Sequence, residues 1–169
     1  MSARVGTPDT MTAPARTATT AAPPATPTIH VAVGSNLQPE VHVPAALGRL
    51  RRAFGAVRCS PFYETPALDR PEQPAYWNGV VALASNLDRA AITRRLHAIE
   101  TAEGRIRTAD KWAARTLDLD ILSWRGQWSD ELRTRPFLAR AVADLGDLPA
   151  GFATPARAWP VVWRPQAEP

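Results

Sequence analysis

Residues 115–122 read Arg-Thr-Leu-Asp-Leu-Asp-Ile-Leu. Leu117, Leu119 and Ile121 alternate with Asp118 and Asp120, the period-two pattern of a strand that buries one face and sets its carboxylates along the other, about 7 Å apart. Aspartate is poorly suited to strands, and two like charges on one face repel. Brought to about 5 Å at an effective dielectric near 20, they would repel by about 3 kcal/mol, so a cation is expected beside them. The approach to the pair supplies candidates, with Arg105, Arg107, Lys111 and Arg115 all between residues 105 and 115. Those side chains could simply neutralise the aspartates. Alternatively, the carboxylates keep part of their charge for Mg²⁺ while guanidiniums take phosphate oxygens bidentately, the combination that a nucleoside triphosphate requires. Four cations against two carboxylates favour the second reading.

No cradle of backbone amides stands ready for the phosphates. The turn-like Val-Gly-Ser-Asn at 33–36 contains neither a Gly-Lys-Ser/Thr sequence nor a G-x-G-x-x-G run, so side chains and a divalent ion would have to grip any triphosphate. The chain has 169 residues, 45% hydrophobic and 21% charged, with a formal charge of +4. That fits one globular domain with an anionic partner, a phosphorylated small molecule as readily as nucleic acid. The single cysteine, Cys59, rules out an internal disulfide framework and reads as a small apolar strand residue. The absence of any run of 18 apolar residues argues against a membrane span.

The elements that must position these residues follow a clear order. Residues 1–27, rich in Ala, Thr and Pro, read as a disordered tail. Ile29, Val31 and Val33 alternate in a first strand ending at the Gly-Ser-Asn turn; Val43, Leu47, Leu50 and Phe54 recur at helical spacing and are closed by Gly55. A second strand is predicted over 56–65, with Pro61 marking an edge or a bulge, and a third over 76–85. Asp88 is placed to cap a second helix that presents Ile92, Leu96 and Ile99 on one face and stops at Gly104. The Asp118–Asp120 strand completes β-α-β-β-α-β, the order of the α+β ferredoxin-like sandwich, an antiparallel-rich sheet with both helices on one face. The domain is expected to span 28–152, followed by a Pro-rich C-terminal tail over 153–169 in which Trp159, Val161, Val162 and Trp163 could fold back.

Five stretches in this order, VAVGSNL (31–37), FYETPAL (62–68), EQPAYWNGVVAL (72–83), IETAEGRIR (99–107) and KWAARTLDLDIL (111–122), resemble the successive motifs of the 6-hydroxymethyl-7,8-dihydropterin pyrophosphokinase family. Lys111 stands where that family usually has arginine. The resemblance runs from about residue 28 to about 148 and implies the same βαββαβ core. It implies transfer of the pyrophosphoryl group of ATP to a reduced pterin, with release of AMP, in folate or a related one-carbon pterin pathway. Asp118 and Asp120 would hold two Mg²⁺ ions; Arg105 and Arg115 would bind the transferring phosphates; Glu100, Trp112, Ile121 and Arg135 would complete the nucleotide side. For the pterin, Tyr76 and Phe137 would supply stacking rings, Asn78 a side-chain contact, and Thr65 and Leu68 backbone contacts. A flat heterocycle with an amide edge needs such faces and rim partners. Small-molecule partners, a monomer, a cytoplasmic location and no binding to nucleic acid or membrane are the corresponding expectations.

One departure is informative. Between the aspartate strand and the Arg-x-Phe motif that ends in Phe137, the family usually carries a Pro-His motif on the nucleotide side. Residues 123–137 here contain no histidine, and His30, His42 and His97 all precede Asp118. His97 is expected on a helix surface. Weaker ATP affinity or altered nucleotide choice is therefore expected, and a pterin-binding paralogue with another substrate or without kinase activity is the alternative. A basic nucleic-acid module is disfavoured, because the aspartate strand would repel a phosphate backbone.

Overall fold

The computed structural model describes residues 25–68, 70–110 and 112–166; residues 1–24, which make up most of the expected N-terminal tail, lie outside that range, as does Lys111. The elements run β1 (Thr28–Ser35), α1 (Pro39–Phe54), β2 (Val57–Cys59), β3 (Phe62–Thr65), β4 (Tyr76–Ala84), α2 (Arg89–Ala102), β5 (Asp118–Trp124), β6 (Gln127–Trp128), α3 (Glu131–Thr134), α4 (Pro136–Asp144) and β7 (Val161–Trp163). They form one antiparallel sheet in the order β6-β5-β1-β4-β3-β7, with β2 also paired to β4. The βαββαβ order predicted from periodicity is its centre.

Local chemistry explains the boundaries. Gly55 ends α1 at φ 83°, and the Asp88 carboxylate accepts from the Ala91 amide at 2.6 Å as the cap of α2. Pro61 does interrupt the second strand. Cys59 pairs with Val81 and Tyr63 with Asn78, so four steps on one strand match three on the other, the count of a bulge. Ser60 repairs the break: its amide donates to the Val80 carbonyl and its hydroxyl accepts from the Val80 amide, each at 2.9 Å. The Gly-Ser-Asn segment does not turn where expected, because Gly34 and Ser35 remain paired in β1 opposite Asn78 and Trp77.

The sheet has two covered faces: α1 and α2 share one, as expected, and two further helices, α3 and α4, cover the other. Val31, Val33, Leu47, Leu50, Ile92, Leu96 and Leu119 pack beneath α1 and α2. On the opposite face, Tyr63, Val80 and Leu122 pack against Leu132, Phe137, Leu138 and Val142 of α3 and α4, closed by Trp159. The C-terminal segment therefore returns to the body, and β7 pairs with β3 through Phe62–Trp163 and Tyr63–Val161. Among the described residues, no helix is long and apolar enough to cross a membrane.

Candidate active site

The strand alternation sends Leu117, Leu119 and Ile121 toward the α1–α2 core and leaves Asp118 and Asp120 on the other face. Across the ladder, Gly34 opposes Asp118 and Ala32 opposes Asp120. Two small residues thus keep the sheet open above the carboxylates. A cavity of about 200 Å³ forms there, walled by Thr65, Leu68, Tyr76, Asn78, Trp112, Arg115, Asp118, Asp120, Arg135 and Phe137 among others.

The two aspartates share a strand but not an environment. Asp118 is half-buried and accepts from Arg105 and, at 2.7 Å, from Nη1 of Arg115. Arg105 is itself held by Glu100, a carboxylate only 2% exposed that also takes the Leu119 amide at 2.9 Å and Arg107 at 2.5 Å. Glu100 is thus a buried anchor at the end of α2, and Arg107 is tied to it. Three guanidiniums therefore share two carboxylates, one of which the charge count in the loop had not included.

Asp120 is different. Its carboxylate accepts no hydrogen bond among the described residues, although solvent reaches it through the cavity. Partial desolvation by the surrounding protein, then the charges of Asp118, Glu131 and Glu100, push its pKa up to about 6, against the opposing pull of Arg105. An acceptor-only group left unpaired beside another carboxylate is suited to a hard divalent cation. Among the described residues there is no cluster of three or more metal-ligating side chains. An ion such as Mg²⁺ is commonly held by one or two carboxylates, with phosphate and water in its remaining positions.

Beside the aspartates lies an aromatic and amide wall. Asn78 donates to the Thr65 hydroxyl at 2.7 Å, which turns its amide toward the cavity rim. Gly34 makes room for it, since a Cβ at that position would sit 2.8 Å from the Asn78 Oδ1. Burial pushes the Tyr76 phenol pKa up, so the ring stays neutral. Phe137 is buried and meets Trp159 edge-on at 6.4 Å between centroids. Leu68 and Trp112 stand exposed at the cavity mouth.

The loop that carries the cations is fastened by Asn36, a residue the motif reading left in a turn. Its Oδ1 accepts from the Arg115 amide at 2.8 Å, its own amide donates to the Arg115 carbonyl at 3.1 Å, and its Nδ2 reaches Gln73 at 3.1 Å. Gln73 in turn donates to the Trp112 carbonyl at 2.8 Å. Asn36 is 2% exposed, and an amide with both donors and acceptors engaged between two loops is a hub. Nothing in the linear pattern signals that role. Glu131, whose α3 lies in the passage without histidine, also lines the cavity and pairs with Arg135 at 3.5 Å.

Of the residues expected at the site, Thr65, Leu68, Tyr76, Asn78, Trp112, Arg115, Asp118, Asp120, Arg135 and Phe137 come together at the cavity. Arg105 joins through Asp118, and Glu100 stands behind Arg105. Ile121 does not reach it, since its side chain packs on the α1–α2 side. His97 is exposed on α2, as expected.

The fold and this wall define an α+β sandwich with an acidic-and-guanidinium centre beside an aromatic slot, the layout of an enzyme that joins a phosphorylated co-substrate to a flat heterocycle. The family described as 7,8-dihydro-6-hydroxymethylpterin-pyrophosphokinase (HPPK) matches residues 30–149, and the chain belongs to it. It is 37% identical over 129 residues to a 2-amino-4-hydroxy-6-hydroxymethyldihydropteridine pyrophosphokinase of Pseudomonas aeruginosa, covering 69% of this chain and 79% of that one. A protein of the same description from Pseudomonas putida is 38% identical over 115 residues, covering 63% and 89%, and one from Synechocystis is 33% identical over 127 residues, covering 68% and 64%.

Proposed function

We propose that the protein transfers the pyrophosphoryl group of ATP to the hydroxymethyl of 6-hydroxymethyl-7,8-dihydropterin, giving AMP and the pterin diphosphate. The observation that carries the reading is Asp120, a carboxylate with no hydrogen-bond partner among the described residues, on the wall of a cavity that also holds arginine-bound Asp118, Tyr76 and Phe137. Mg²⁺ held by Asp118 and Asp120 on the triphosphate would supply charge neutralisation and polarise the phosphoryl oxygens. Tyr76 and Phe137 would sandwich the pterin while Asn78 and Thr65 fix its edge. Arg115 and Arg105 would exchange the Asp118 carboxylate for phosphate oxygens, and the negative charge that builds during in-line transfer would fall between them. Trp112, Arg135 and Glu100 complete the proposed nucleotide side. No covalent nucleophile is needed, because orientation and electrostatics account for such transfers.

Two Mg²⁺ ions, a monomer and a cytoplasmic location belong to the same proposal. The passage without histidine supports weaker ATP affinity than in relatives that have it, testable by comparing Michaelis constants for ATP and GTP. The central experiment measures AMP release from ATP, Mg²⁺ and the pterin by the wild-type protein and by an Asp118→Ala, Asp120→Ala double variant. AMP from the wild type alone is expected. Tryptophan quenching by the pterin without any AMP would instead favour the pterin-binding paralogue.

A further inference from the structure

On the α4 face of β1, four residues before Gly34, His30 lies in a buried polar line outside the cavity. Its Nδ1 is 2.6 Å from the Ser123 Oγ on β5, and its Nε2 is 2.9 Å from Oδ2 of Asp147, just beyond α4. Asp147 also takes Arg58 of β2 at 2.5 Å, and Arg58 donates to the Leu145 carbonyl at 2.8 Å. Trp128 of β6 stacks on the imidazole with centroids 4.6 Å apart. His30 and Ser123 are 5% and 2% exposed. Asp147 and Arg58 are the charged groups that face the ring, while Ser123 and Trp128 are neutral.

Donor counting fixes the tautomer. A carboxylate only accepts, so Nε2 carries the hydrogen and donates to Asp147; Nδ1 must then accept the Ser123 hydroxyl proton. The Ser123 oxygen meanwhile accepts from the His30 amide at 3.2 Å. Every donor in the line then has an acceptor. A proton on Nδ1 would make that nitrogen a donor to the Ser123 oxygen and leave the Ser123 hydroxyl hydrogen with no acceptor among the described residues, and the charged ring's stronger bond to Asp147 only partly offsets the larger cost of burying the charge. A buried unmade hydrogen bond is costly, so protonation works against the closed arrangement.

The line ends at the C-terminal side of α4, and the N-terminal side of that nine-residue helix carries Phe137 and Leu138 into the cavity wall. We propose that His30 is a positioning residue for the proposed pterin slot: its neutral form locks α4 against the sheet, and its protonation loosens that lock. The proposal rests on the reading of Phe137 as a pterin wall. It makes pterin binding, rather than nucleotide binding, sensitive to mildly acidic pH. Burial holds the His30 pKa below the ordinary histidine value, in line with a neutral ring at physiological pH.

The test uses the full chain and measures the Michaelis constants of pterin and ATP from pH 5.5 to 8 for the wild type, His30→Gln and Ser123→Ala. In the wild type the pterin constant should rise about fivefold on acidification, the lower end of ordinary coupling between sites. In His30→Gln, which does not titrate, that rise should vanish, while any acid limb arising from Asp120 stays in both proteins. Superimposable pterin profiles, or a His30→Gln effect equal on both substrates, would overturn the proposal. Should His30→Gln fail to fold, Ser123→Ala gives the answer, because without the hydroxyl the rise should shrink below twofold. Proton NMR of the wild type gives a readout independent of turnover: pterin should lower the midpoint of the His30 imidazole, and an unmoved midpoint refutes the coupling. Phe137→Ala separates the two layers, since an unchanged pterin constant there sinks the wall assignment whatever His30 does.

Discussion

Asp118 and Asp120 differ by two positions and are opposite in what they do for the stability of the fold. Asp118 is neutralised by Arg105 and Arg115, so Asp118→Asn should remove charge-assisted bonds and cost about 1–3 kcal/mol. Asp120 is the uncompensated one. Asp120→Asn relieves repulsion from Asp118 and Glu131 and should raise Tm by roughly 3 °C, as about 1 kcal/mol does in a domain of this size. Both changes should abolish turnover. Thermal melts of the two variants in metal-free buffer check the contrast, and equal shifts would show that the carboxylates are equivalent. The sign of the pH effect follows from the same asymmetry. A carboxyl pKa raised to about 6 leaves Asp120 protonated in acid, so kcat/KM for MgATP should climb as pH rises through that value and level off above it. More Mg²⁺ should move the midpoint downward, because the metal favours the carboxylate. A midpoint indifferent to Mg²⁺ would remove Asp120 from the metal site.

The strands and helices of the central βαββαβ unit were legible because their signals are local: alternation in β1 and β5, aromatic and β-branched content in β4, three-and-four spacing in α1 and α2, Gly55 and Asp88 at helix ends. What joins these elements around the site was not legible. Asn36 looked like a turn residue, since nothing in a linear pattern shows that its amide will meet the Arg115 backbone and Gln73. Asn36→Ala should leave those groups unsatisfied, lowering stability by about 2 kcal/mol and raising the Michaelis constants of both substrates as the two loops separate. Urea melts and steady-state kinetics check this together. Gly34→Ala acts on a single element, since the added methyl pushes on the Asn78 amide. The pterin constant should rise while that of ATP holds, and an equal change in both would place Asn78 elsewhere.

Across the whole molecule, the sheet divides the labour between its faces. The α1–α2 face is an ordinary apolar core, and the opposite face carries the cavity, with α3 and α4 as its far wall and the returning C-terminal segment packed behind Phe137. That segment was the hardest part to read. Pro-rich sequence lacks periodicity, and the strand Val161–Trp163 gains its identity only by pairing with β3. Its tie to the site is Trp159, buried and edge-on to Phe137. Trp159→Ala removes a large buried ring and should cost about 3 kcal/mol. The damage should also be directional. With one side of Phe137 left unsupported, the pterin constant should rise more than that of ATP, because the carboxylates and guanidiniums of β5 and its preceding loop do not touch Trp159. Kinetics at a temperature where the variant remains folded separates the two effects. If both constants rise alike, the C-terminal segment supports the domain as a whole, and the division between a pterin wall and a phosphate wall is wrong.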